Sequence, residues 1–319
     1  LYGYDKIEEI TPNLPAKSPI LNYLRTREHE ARNILKGYGL SEVLNYSFYS
    51  LRNLQDALLD ESNHLTLQNY LSEDQTHLRT SLVVNILKNL HENLKNFPQI
   101  EIFEIGRTYI ETGNFFPIEE EKIAISVTGY NNNFQKLKGI IESFLCEFGH
   151  QEIKIIVAAN SPSYLHPKKS VQIIDENNNE VGIAGIIHPL VQENYDLKDE
   201  VAYAEINFAQ LVHTHAYAQK FTPIPKFQDV EFDLSIVIPN TTYAEKVYEA
   251  IQQSSDLIYS IELFDIYQGD QISTEHKALA YKIKLRSSNR TLTDTDISTA
   301  QKTCISNIQK IGGKIRGYE

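Results

Sequence analysis

Methionine and tryptophan are absent from the 319 residues, and cysteine occurs only at Cys146 and Cys304. Two cysteines so far apart do not make a disulfide framework, so a reducing, cytoplasmic setting is the expectation. No CxxC, HExxH or Cys/His cluster offers zinc ligands at the usual spacing. No apolar run approaches the roughly 20 residues of a membrane helix, and no charged-then-apolar leader opens the chain, so no membrane partner is expected. Without an initial methionine, the chain reads as part of a longer protein. Cations are scarce as well: 30 Lys+Arg against 42 Asp+Glu give a net charge of −12. That balance argues against a protein that takes up nucleic acid over its whole surface. P-loop, GxGxxG and GxSxG patterns are also missing.

What is present suggests two or three domains. Residues 1–220 hold 19 Lys+Arg and 29 Asp+Glu, giving −10, whereas residues 221–319 hold 11 and 13, giving −2. A polyanion contact is therefore expected in the second part. Residues 1–19 carry three prolines and no period, as an extended connector would. Leu21, Leu24, Glu28, Ala31, Ile34 and Leu35 recur at helix spacing over 20–38, with Gly37 and Gly39 at the end. Strands are predicted at 41–50, 100–110, 121–129, 153–158, 170–174, 181–187 and 201–207. Helices are predicted at 80–95, with Thr80 or Ser81 as N-cap, and at 134–148. Antiparallel strands with a few helices make an α+β module. HTHAYAQKFTPIPKF (213–227) is the linker candidate. Beyond it the pattern is strand 233–239, helix 242–253, strands 257–267 and 277–287, helix 294–311 and strand 314–318. That βαββαβ order is ferredoxin-like, with two helices on one face of an antiparallel sheet and the other face open. The last strand is expected at an edge beside the second.

Within this arrangement HKALAYKIKLRSSNRTLTD (276–294) acquires a direction. Strand residues alternate faces, so Tyr281, Ile283 and Leu285 point to the helices while Lys282, Lys284 and Arg286 point to the open face. Arg290 follows them, and Lys314 and Arg316 lie two apart on the last strand. Such a row is either an ordinary solvated strand face or an RNA-facing surface, with Tyr267 or Tyr318 available to stack bases.

Seven motifs along the chain resemble those of a known family. LYGYD (1–5), LSEDQTHLRTSL (71–82), IFEIGRTY (102–109), LKGIIESFL (137–145), GIAGIIHP (182–189), FDIYQGDQI (264–272) and RTLTD (290–294) occur in the order and at the spacing of the C-terminal half of the bacterial phenylalanyl-tRNA synthetase β subunit. The resemblance implies the end of a helical module and connector over 1–19 and a catalytically silent class II synthetase-like module over 20–215. It also implies a ferredoxin-fold anticodon-binding domain over 221–319. The implied partners are the α subunit, in an α2β2 assembly, and tRNA(Phe). ATP and magnesium serve the holoenzyme, and no cofactor or metal ligand is implied within this segment. With an anticodon-binding domain implied, the cations of the open face, Lys282, Lys284, Arg286, Arg290, Lys314 and Arg316, become the expected RNA-binding residues, and no catalytic residue is expected. A pure assembly scaffold without RNA contact is the alternative.

Two observations bear on these expectations. Class II activation of an amino acid needs arginines on the triphosphate, yet no Arg occurs between 108 and 285. The sequence also departs from the family where its last domain begins. KFQDVEFD (226–233) keeps Lys226, Phe227 and Asp233 but has Gln228 and Phe232 where the family has Pro and Arg. A separate hydrolase or metal enzyme would need His166 or His188 to meet a nucleophile or further ligand. Both precede proline, and neither has such a neighbour in sequence. His213 and His215, an HxH pair, fall in the predicted linker.

Overall fold

The computed structural model describes the chain apart from residues 1, 2, 16, 151, 152, 176, 214–220, 222, 270, 271 and 317–319, and apart from the side chain of residue 213. Tyr318, His215 and the HxH pairing, with much of the predicted linker, lie outside the described residues. Two compact units result, Leu1–Gln219 and Lys220–Glu319.

In the first unit the elements are α1 (Tyr23–Gly37), β1 (Ser41–Glu42), β2 (Phe48–Tyr49), α2 (Leu51–Asp56), β3 (His77–Leu78), α3 (Val83–Asn93), β4 (Ile100–Ile110), β5 (Ile118–Thr128) and α4 (Asn133–Glu147). They continue as β6 (Lys154–Val157), β7 (Leu165–Ile174), β8 (Glu180–Ile187), α5 (Pro189–Asn194), β9 (Val201–Asn207) and α6 (Phe208–His213). Seven strands form one sheet in the order β1-β4-β5-β9-β8-β7-β6. All pairs are antiparallel except β1 with β4. Both faces of the sheet are covered. Ala31, Ile34 and Leu35 of α1, Leu137, Ile141 and Phe144 of α4 and Phe208 of α6 pack on one side. Leu54 of α2, Val83, Ile86 and Leu87 of α3 and Val191 of α5 pack on the other.

The α3 face of this sheet also holds a buried charge network. Arg79 donates to the Glu104 carboxylate at 2.7 Å and to the Arg107 carbonyl at 2.8 Å. Asn45 holds the other Glu104 oxygen at 2.7 Å. A Cβ on residue 106 would stand 2.3 Å from the Arg79 guanidinium, so the Gly of IFEIG makes room for the Arg of LRTSL. Beside this pair, Glu205 accepts from Ser81 Oγ (2.6 Å), Tyr203 Oη (2.6 Å), the Leu82 N–H (2.9 Å) and Lys122 Nζ (3.0 Å). Burial pushes the Glu205 carboxyl up, but Lys122 and the three other donors outweigh it and hold it below its ordinary value.

Several local expectations need correction. The strand predicted over 41–50 is two short strands, because the chain leaves β4 after the Val43 N–H bond to the Phe103 carbonyl and Asn45 turns to Glu104. Neither Thr80 nor Ser81 is the N-cap of α3; Leu82 is, without a side-chain bond. The Ser81 hydroxyl donates to Glu205 while its oxygen accepts from the Val83 N–H at 3.2 Å, and Thr80 Oγ1 lies 3.0 Å from His64 Nε2.

The second unit comprises β10 (Val230–Pro239), α7 (Ala244–Gln252), β11 (Ile258–Tyr267), β12 (His276–Leu285), α8 (Asp294–Lys310) and β13 (Lys314–Ile315). The sheet order β11-β12-β10-β13 corrects one expectation: the last strand lies beside the first strand, not the second. Ile236 pairs with Ile315 and Val237 with Lys314, so β10 and β12 are both central. Leu234, Ile236 and Ile238 of β10 and Leu279, Tyr281, Ile283 and Leu285 of β12 face Val247 and Ile251 of α7 and Ala300, Cys304 and Ile308 of α8.

Removing one member of a buried ion pair strands the other in low dielectric. Arg79→Met is expected to cost roughly 3–5 kcal/mol of stability in denaturant unfolding of the full chain, and Arg79→Met/Glu104→Gln less than the single change. Equal losses in the single and double variants would refute this account of the pair.

His64 supplies a pH test. Its ring lies between Tyr49 Oη at 2.6 Å and the Asp60 carbonyl at 2.7 Å, and burial lowers its pKa from 6.5. The unfolded chain therefore takes up this proton first as pH falls. The stability tied to neutral His64 is full above about 6.5 and is lost as pH falls towards the lower folded value. Between about pH 7.5 and about pH 5.5 the wild type should lose more stability than His64→Gln in matched unfolding curves. Parallel losses would contradict this.

Candidate nucleic-acid interface

Side-chain alternation on β12 sends Ala278, Ala280, Lys282, Lys284 and Arg286 to the face opposite the helices. Register then decides their neighbours. On the β10 side, Glu231 lies opposite Lys284, Asp233 opposite Lys282 and Ser235 opposite Ala280. On the β11 side, Glu262 lies opposite Lys282, Asp265 opposite Ala280 and Tyr267 opposite Ala278. The cations are thus interleaved with carboxylates on both sides, and Lys284 Nζ sits 3.9 Å from Glu231. This distribution explains how a basic strand exists in a nearly neutral domain.

Past the cations, the outward row narrows to the methyls of Ala278 and Ala280. They floor a depression of about 250 Å³ ringed by Ser235, Asp265, Tyr267 and Arg316. The Arg316 N–H bonds the Ser235 carbonyl at 2.8 Å, which brings residue 316 alongside β10. Lys314 pairs with Val237, a residue of the same outward row. Tyr267 is 38% exposed. A Cβ on residue 269 would lie 2.6 Å from the Tyr267 hydroxyl, so the Gly of FDIYQG leaves room for that side chain. The arrangement joins an aromatic face, a carboxylate, a hydroxyl and a guanidinium around an apolar floor.

Arg290 is placed differently. It donates to both oxygens of Asp296 at 2.5 and 2.9 Å. Asp296 also accepts from the Thr293 N–H, while Thr293 Oγ1 accepts from the Asp296 N–H, which forms the capping box of α8. The Arg290 and Thr293 bonds hold the Asp296 carboxyl well below the usual carboxylate range. RTLTD therefore starts a helix, off the strand row. Phe232, at the position where the family has Arg, packs against the core of the unit. His166 Nδ1 accepts from the Lys168 N–H and His188 Nδ1 from the Leu190 N–H, so each histidine closes a local turn. No group of three His, Cys, Asp or Glu side chains among the described residues is arranged to hold a metal ion. No helix among them is long and apolar enough to cross a membrane.

Sequence reading picked out the basic row and Tyr267. It missed Asp265, Ser235, Ala278 and Ala280, which share the depression with Tyr267 and Arg316. Asp265 and Tyr267 stand two apart in FDIYQG, as do the two alanines in HKALA, and that spacing was the available signal.

Comparisons with known proteins agree with these two folds. The chain has the same fold as the pyrrolysyl tRNA synthetase of Desulfitobacterium hafniense over part of its length, with TM-score 0.50, 17% identity, and coverage of 59% of this chain and 67% of that one. That likeness places a synthetase fold of the class II type in this protein. The model of the ferredoxin-fold anticodon binding domain matches residues 225–316, and that of the phenylalanyl tRNA synthetase beta chain CLM domain matches residues 7–208. The chain belongs to the phenylalanyl-tRNA synthetase β-chain family. Phenylalanine–tRNA ligase β subunits of Listeria monocytogenes and Fusobacterium nucleatum are each 31% identical to it, over 97% and 99% of this chain. That of Clostridium acetobutylicum is 28% identical over 98%. The chain spans about two fifths of the length of these relatives.

If Arg290 serves the start of α8, Arg290→Ala should lower the thermal midpoint of the full chain, and adding Asp296→Ala should lower it by less than Asp296→Ala does in the wild type. An unchanged midpoint in Arg290→Ala would refute this role.

Proposed function

We propose that this chain is a non-catalytic part of a phenylalanine–tRNA ligase, which supports assembly with an α subunit and binds tRNA(Phe) through the open sheet face of its second unit. The matched CLM and anticodon-binding domains and the β-subunit relatives support the ligase assignment. In this reading the holoenzyme is a cytoplasmic α2β2 assembly that joins phenylalanine to tRNA using ATP and magnesium. The observation that carries the RNA contact is the depression over Ala278 and Ala280, with Tyr267 beside it. A single-stranded base can lie on the alanine methyls and stack on the tyrosine ring, while Asp265 accepts from its N–H groups and Arg316 donates to its acceptors. Lys282, Lys284, Arg286 and Lys314 then meet the backbone phosphates, and Arg290 acts by fixing α8.

A second reading has the same face packed on protein. The alternation of Glu231, Asp233, Glu262 and Asp265 with the cations favours it, because such a face suits a mixed-charge partner as well as a polyanion.

Binding of the full chain to a tRNA(Phe) transcript across a salt series decides between them. Tyr267→Ala should cost roughly 1–3 kcal/mol, the worth of one stacked base. Charge reversal at Lys282, Lys284 and Arg286 should weaken binding and flatten its salt dependence. Unchanged affinity and slope in both variants would leave the protein-packing reading.

A further inference from the structure

Arg286 ends the outward row of β12, and its neighbour is an aromatic ring. The guanidinium carbon lies 4.0 Å from the centroid of the Tyr259 ring on β11. The Tyr259 hydroxyl donates to Asp229. Asp229 is also the carboxylate that register places nearest Arg286: Val230 pairs with Leu285, so the residue before one strand stands by the residue after the other. The Asp229 carboxyl is held below its ordinary value by the Tyr259 hydrogen bond first and more weakly by the Arg286 and Lys284 charges. Lys282 lies farther from its ring, with Nζ 6.0 Å from the Phe264 centroid, and two other cations of the segment contrast with Arg286. Lys284 has Glu231 at 3.9 Å and Arg290 has both oxygens of Asp296. Among the described residues no ion pair within 4.0 Å engages Arg286, and its backbone N–H, bonded to the Leu257 carbonyl at 2.8 Å, fixes where the side chain begins.

Resting on the RNA-facing reading above, we infer that Tyr259 is a positioning residue for a phosphate contact of the tRNA backbone. Its ring holds the Arg286 guanidinium flat, and its hydroxyl keeps the Asp229 carboxylate away from it. A guanidinium stacked on an aromatic face keeps its N–H edges in one plane directed outwards, where a phosphate takes two parallel hydrogen bonds. Arg286 is the end of the row where a backbone leaving the Ala278 depression along β12 would pass.

The test is binding of the full chain to a tRNA(Phe) transcript over a salt series, with four variants. Arg286→Ala should weaken binding roughly 10-fold and reduce the slope of log affinity against log salt by about one. Tyr259→Phe keeps the ring but frees Asp229 to neutralise Arg286, so it should lose affinity and slope in the same direction. Tyr259→Phe/Asp229→Asn removes the freed charge and should recover most of the loss, which a merely structural role for Tyr259 would not produce. Tyr267→Ala should weaken binding independently. Wild-type behaviour of Tyr259→Phe, or no recovery in the double variant, overturns the inference while Tyr267→Ala still reports on the face. If Tyr267→Ala and Arg286→Ala both bind as the wild type does, the RNA-facing reading falls and this inference falls with it.

Discussion

Alternation along β12 is the constraint on which the second unit depends. The same ten residues supply the centre of its core and the centre of its open face. Leu279, Tyr281, Ile283 and Leu285 are buried against two helices, and burial of such side chains stabilises by roughly 1.5–3 kcal/mol each. A one-residue slip would turn this set outward and bring the lysines under the helices. The hydrophobic effect therefore sets the direction of the cations without any contribution from the cations themselves. What they meet is decided by register with β10 and β11, which places carboxylates opposite Lys282 and Lys284 and leaves Ala278 and Ala280 beside Tyr267.

In the first unit the comparable role belongs to buried charge. Arg79 and Glu104 sit 25 positions apart in sequence and Ser81 and Glu205 sit 124 apart, yet both pairs lie on one face of one sheet. Three segments noted for family resemblance or strand pattern, LRTSL, IFEIG and the β9 strand, are joined there by hydrogen bonds. A charge network inside a sheet contributes little net stability over apolar packing, but it strongly penalises arrangements that leave one member alone. That penalty ties the segment leading into α3 to the middle of the sheet. It also employs Arg79, in the chain's first half, in holding a carboxylate of its own fold.

Much of the fold was legible because periodicity reports burial, and burial sets these elements. The strands over 100–110 and 201–207 and the βαββαβ order of the second unit follow directly from alternation and helix spacing. The failures have a common origin in contacts between residues far apart in the chain. SEVLNYSFYS reads as one strand until Asn45 turns to Glu104, and Ser81 reads as the N-cap although it stands one position before it, giving its proton to Glu205 while its oxygen accepts from the Val83 N–H. The strand beside β13 was misplaced: the expected edge partner is the second strand, whereas the register pairs Ile236 with Ile315 and Val237 with Lys314. The basic row was legible as a direction. The acids flanking it were visible as residues but not as neighbours, because their pairing depends on the register with β10 and, for β11, also on the bulges at Ile258/Ser260 and Leu263/Asp265.

Those flanking acids bear on how such a face would recognise RNA. A uniformly basic sheet attracts any polyanion, and its affinity falls steeply with salt. Interleaving Glu231, Asp233 and Glu262 with Lys282 and Lys284 reduces that indiscriminate attraction. Binding then has to come from groups with shape and direction. Two such places exist on this face: the alanine-floored depression beside Tyr267, and Arg286 over the Tyr259 ring. They stand at opposite ends of one outward row, spanning eight residues of an extended strand, or roughly 25 Å at strand rise. A single-stranded segment of a few nucleotides covers that length. Contact at both ends would select a strand of defined course, whereas a phosphate cluster alone would accept any course. On this argument the acidic character of the protein and the basic strand within it are compatible, because the acids suppress binding that lacks the stacked base.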